Sequence, residues 1–145
     1  MARYSAGALT SAGSTVLPLI SLYAAAGSGG ALRGVGLTNT TSTEVKLKLV
    51  RLTTTGTQGA GLTEGKANPN SPAAACTAFN THSANPTLGD DLGYRWNLGA
   101  AVGAGIIESF GDTGLVISAG AANGIGVIAE SGTSQPLEAY LVWDE

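Results

Sequence analysis

Val45, Leu47 and Leu49 alternate with Lys46 and Lys48, so a strand over residues 44–53 presents one apolar and one charged face. The alternation slips at Leu49-Val50, with Leu52 on the other parity, and a β-bulge there is expected to absorb the slip. A second period-two run covers residues 16–23, with Val16, Pro18, Ile20 and Leu22 on one face. Pro18 has no amide donor, which predicts an edge strand or one that starts at a bulge. Further strands are predicted over 31–37, 93–98, 105–110, 115–118, 124–129 and 136–143. In the last of these, Leu137, Ala139, Leu141 and Trp143 face one way and Glu138 and Tyr140 the other.

These runs are short, closely spaced and separated by glycine-bearing turns such as 27–30 and Asn123-Gly124. About eight strands with no long helical period predict an all-β fold, an antiparallel β-sandwich of jelly-roll type. Residues 1–14 are small and polar and read as an extended N-terminal arm, leaving 15–145 as a single sandwich domain. Within it, residues 54–91 are dominated by Thr, Gly, Asn, Pro and Ala. A structureless loop of that length is unusual in a compact domain, so partial structure is expected there. Ser71-Pro72 offers a helix cap and first position, which predicts a helical turn over 71–78.

Composition sharpens this picture. Hydrophobic residues make up 43% of the 145, enough for a core without disulfides, but aromatics are only 6%. The core must therefore be aliphatic, and each aromatic is either a core plug or an interface anchor. Net charge is −3 and the seven basic residues form no stripe, which argues against nucleic-acid binding. The apolar run 16–26 falls well short of the roughly 20 residues that cross a membrane. Its Ala24-Ala25-Ala26 end resembles a signal-peptide cleavage site, but the leading residues carry only Arg3, and no processed leader is expected.

Candidate chemistry is sparse. Cys76 and His82 could pair as nucleophile and base, but no orienting third residue stands out and no cationic setting would activate the thiol. His82, Glu64, Asp90 and Asp91 match no compact metal-ligand spacing. The glycine-rich segments 27–30 and 120–126 lack the lysine of a phosphate loop. No catalytic residue, cofactor or metal is therefore expected, and the chain reads as a non-enzymatic building block. If Trp143 faces the core, Tyr140 faces solvent or a partner.

The run Val50-Arg51-Leu52-Thr53-Thr54-Thr55-Gly56-Thr57-Gln58-Gly59-Ala60-Gly61-Leu62-Thr63-Glu64 resembles a motif in small structural proteins of tailed bacteriophages. Similar segments follow at 75–82, at Leu92-Gly93-Tyr94-Arg95, at 122–127 and at 139–145, so the resemblance spans residues 33–145. It implies a capsid decoration (cement) protein on the outer surface of the phage head, a homotrimer that bridges major capsid protein subunits. A tail or fibre-base position is the alternative. A carbohydrate-binding module, with an exposed tryptophan such as Trp96 as platform, is a third. For assembly contacts the expectation falls on Arg3 and Tyr4 of the arm and on Tyr140, then on the charged face of strand 44–52.

Overall fold

The computed structural model covers residues 1–145 and consists of thirteen strands with no helix. In chain order these are β1 (Arg3–Leu9), β2 (Ile20–Tyr23), β3 (Gly30–Asn39) and β4 (Val45–Leu52). Four short strands come next: β5 (Thr57–Gln58), β6 (Gly65–Lys66), β7 (Thr77–Phe79) and β8 (His82–Ala84). The last five are β9 (Leu88–Leu98), β10 (Gly105–Ser109), β11 (Leu115–Ile117), β12 (Gly124–Ser131) and β13 (Leu137–Asp144).

The first sheet runs β10-β3-β13-β1-β6, with β11 also paired to β3; the second runs β7-β2-β12-β4-β9. Strands β5 and β8 form a separate pair, and every pairing is antiparallel. Setting aside the short β5, β6, β7, β8 and β11 leaves eight strands. In the first sheet they lie β10-β3-β13-β1 and in the second β2-β12-β4-β9. Each connection between consecutive long strands crosses from one sheet to the other, except the link from β4 to β9. That is the interleaved double Greek key of a jelly roll.

The inward faces meet in one aliphatic core. Tyr4, Leu32, Leu37, Leu141 and Trp143 come from the first sheet, and Ile20, Leu22, Leu47, Leu49 and Val127 from the second. Full burial of each such side chain stabilises the fold by about 1.5–3 kcal/mol relative to leaving it in water. On β13 the predicted alternation holds, with Leu137, Ala139, Leu141 and Trp143 all buried.

Four expectations need correction. First, residues 3–9 are not an arm. They form β1, registered on β13 from Arg3 opposite Asp144 to Leu9 opposite Glu138 and flanked by β6 at Tyr4 and Ser5. Small residues hid the pattern: Tyr4 and Ala6 point into the core while Arg3, Ser5 and Gly7 alternate outward.

Second, β4 does not slip. Its register on β12 is unbroken from Leu52 to Leu47. Val50 and Leu52 lie on the outer face with Lys46 and Lys48, and there they form a second small core with Tyr23 and Ile128 beneath Phe79 and Leu88. The extra residues belong to β9, which goes from Arg95 opposite Lys48 to Asp91 opposite Val50. The bulge turns at Gly93, whose φ of +80° lies in the left-handed region and whose N–H donates to Asp91 Oδ1 at 2.9 Å.

Third, no helical turn spans 71–78. The N–H groups of Ala75 and Cys76 donate to the two carboxylate oxygens of Glu145 at 2.8 and 3.0 Å, so they are not available to a helix. Residues 77–79 instead pair with β2 as β7. Segment 54–91 is partly structured as expected, holding β5 to β8 and the start of β9. Fourth, the strand predicted over 16–23 begins only at Ile20. Pro18 precedes it, and β2 is an interior strand between β7 and β12.

Candidate assembly surfaces

The outer face of the first sheet is built by register. Gly7, Tyr140, Gly36 and Ile107 form one cross-strand row over β1, β13, β3 and β10. Ser5, Val142, Gly34 and Ser109 form the next, and Leu9, Glu138, Thr38 and Gly105 a third. Glu138 is the one ionisable carboxylate in these rows, and no lysine or arginine is among them. Ile107 is 80% exposed, Leu9 53% and Tyr140 37%. Across these three rows the face is nearly uncharged and partly apolar, a composition suited to contact, and the Arg3–Asp144 pair lies at its end.

Tyr140 lies flat because nothing stands beneath it. A Cβ on residue 36 would be 1.9 Å from Tyr140 Cε1, and one on residue 7 would be 2.7 Å from Tyr140 Cβ. Gly36 and Gly7, both within strands, are here the bed for an aromatic ring.

Of the three predicted contact residues, Tyr4 is turned into the core, while Arg3 and Tyr140 lie on the outer face. Tyr4 is 2% exposed and stacks on Trp143, and its hydroxyl donates to the Pro72 carbonyl at 3.1 Å. Arg3 is held in a two-point ion pair with Asp144 at 2.7 and 3.0 Å, which Arg33 joins from β3 at 3.1 Å. The hydrogen bond from Arg3, with the charges of Arg3 and Arg33, holds the Asp144 carboxyl below its usual range against the opposing effect of burial. Arg3 is thus a clasp between the first and last strands.

The outer face of β4 and β9 has a different character. Asp91 accepts from Lys48 at 3.3 Å and from Arg95 at 2.8 Å, and Arg95 also meets Glu130 at 3.3 Å. The Gly93 N–H and then the Arg95 guanidinium pull the Asp91 carboxyl down to about 2. This saturated charge network on the long edge strand β9 opposes edge-to-edge pairing.

Cys76 and His82 do not form a couple. Cys76 is buried against Gly30 and Glu145, and burial together with the Glu145 charge pushes its thiol up to about 12. His82 instead shares a 2.8 Å hydrogen bond between its Nε2 and the hydroxyl of Ser21, a pair that 61 positions of sequence separation conceal. Ser21 is fully buried and His82 only 7% exposed, between the rings of Tyr23 and Phe79. Desolvation lowers the His82 pKa. No three His, Cys, Asp or Glu side chains converge in a group that could hold a metal ion. Trp96, with its Nε1 3.3 Å from Glu108 Oε2, and Trp143 are both buried, so neither supplies the exposed platform of a carbohydrate-binding module.

Strand order defines the class: a jelly-roll β-sandwich. No protein-family model matches the chain, and no curated protein sequence matches it.

Proposed function

We propose that this protein is a structural subunit of a tailed-phage virion, a decoration protein that binds the outside of the head as a homotrimer and bridges major capsid subunits. The observation that carries the reading is the outer face of the first sheet. Its rows of glycine, serine, Ile107, Leu9 and Tyr140 carry one charge, Glu138, where the opposite sheet carries a network of them. The jelly-roll strand order and the resemblance of residues 33–145 to phage structural proteins support the same conclusion. The contacts rest on burial and shape, with no reaction.

The test is solution mass by light scattering, followed by mixing with heads that lack the subunit. A trimer that saturates heads at hundreds of copies supports the proposal. Ile107→Asp, at an 80% exposed position, should leave folding intact and abolish that binding. A monomer that ignores heads, or one found only on tails at a few copies, overturns it.

A further inference from the structure

At one end of the sandwich the two sheets part around a cleft of about 500 Å³. Arg51 and Thr53 from the β4 end and Asp90 from β9 line one wall. Val116 and Ser118 line the other, and Asn123 closes the end ahead of β12. Arg51 spans the gap, its Nη1 donating to the Val116 carbonyl, which leaves Nε and Nη2 uncommitted. Asn123 is fixed: its amide nitrogen donates to the carbonyls of Ser118 and Ala119 at 3.2 and 3.0 Å, leaving Oδ1 as a positioned acceptor.

Neither charge in the cleft, Arg51 or Asp90, has an ion-pair partner, although Asp91, next in sequence, joins two pairs. Charged groups without an ion-pair partner, facing a shared concavity beside side chains that backbone carbonyls hold in place, are the arrangement of a ligand site.

The mixture of charges disfavours a ligand of one sign. An anion gains from Arg51 and is repelled by Asp90, and a cation meets the reverse. A neutral polyol satisfies both, since each hydroxyl donates to a carboxylate or Asn oxygen and accepts from a guanidinium N–H. We infer that this inter-sheet cleft, with Arg51, Asp90, Ser118 and Asn123 as its polar contacts, binds a neutral saccharide. It is separate from the sheet face assigned to assembly, and it stands whether or not the subunit belongs to a virion.

The experiment is an amide NMR titration of the whole protein with D-glucose, D-galactose, D-mannose and N-acetyl-D-glucosamine in turn. At least one should shift the amides of Gly89, Asp90, Ser118 and Asn123 together, with a Kd of about 1 mM, the weak end of single-site affinities. Asp90→Ala should keep the dispersed spectrum and weaken binding about tenfold or more, the loss that follows an unpaired polar contact. Ser118→Leu, which fills the cleft from the opposite wall, should abolish the shifts even if Asp90→Ala does not fold. Absence of shifts with all four sugars overturns the inference. So do equal shifts with sodium phosphate alone, which mark an anion site, or with glycine alone, which mark a zwitterion site.

Discussion

Tyr4 stacks on Trp143 with ring centroids 5.8 Å apart and an interplanar angle of 27°, joining a residue near the start of the sequence to one near its end. Around this pair, Ala2 and Glu145 exchange backbone hydrogen bonds of 2.7 and 3.0 Å, and Trp143 Nε1 donates to Glu145 Oε1 at 2.8 Å. The first strand is thus part of the core. Deleting residues 2–9 should unfold the isolated protein. Tyr4→Ala should cost about 3–5 kcal/mol, as large-to-small aromatic changes in cores do. That is a fall in Tm of roughly 10 °C, readable by circular dichroism. A truncated chain with an unchanged melting curve would refute this account of β1.

Gly36→Ala should destabilise by about 1–3 kcal/mol, the usual cost of overpacking, because the new methyl group takes the space of the Tyr140 ring. The ring is the movable partner, so Tyr140→Ala in the same chain should recover most of the loss. Urea denaturation of the two single variants and the double variant closes the cycle. Additive penalties would show that the ring and the glycine are not coupled.

Stability should fall with acid in two separate windows. Burial lowers the His82 pKa below its unfolded value near 6.5, so the folded state binds fewer protons than the unfolded one. The contribution is complete above about pH 6.5 and drains away as pH falls from there toward the folded pKa. Asp91, held at about 2, keeps its contribution above its ordinary value of 3.8 and loses it between that value and about pH 2. Denaturation midpoints measured from pH 7.5 down to 5 should therefore decline, and His82→Gln should flatten that decline while leaving the loss below pH 4. A midpoint insensitive to pH above 5 in the native sequence would contradict the buried neutral imidazole.

The Cys76 thiol, with its pKa raised to about 12 and its side chain buried, should be inert toward a disulfide reagent at pH 8 in the native state. In denaturant it should react at the rate of a free cysteine. Rapid labelling without denaturant would show that the strands around Gly30 open readily.

The sequence made the sandwich legible wherever strands alternate. On β13 the inward and outward sets come out as the pattern implies, and Tyr140 stays on the surface for that reason. The pattern failed where both faces of a strand are covered. Val50 and Leu52 read as a slip in phase because the second cluster over β4 is made by Phe79 and Leu88, residues remote in sequence. It failed again at β1, where alanine, serine and glycine carry too little hydropathy contrast to show alternation. The Ser21–His82 pair and the Arg51–Asp90 cleft depend on long-range register, and no spacing motif encodes either.

The position of β13 also sets an order of events for the nascent chain. This strand lies between β3 and β1, so the first sheet stays divided until residues 137–144 have emerged from the ribosome. Before then, β1 has only the two-residue β6 beside it in the sheet. Nearly all strand contacts are non-local, a topology that folds in milliseconds to seconds. Completion of the first sheet must therefore wait on residues 137–144, and during that delay the open gap between β1 and β3 is the site at which a strand from another molecule could insert.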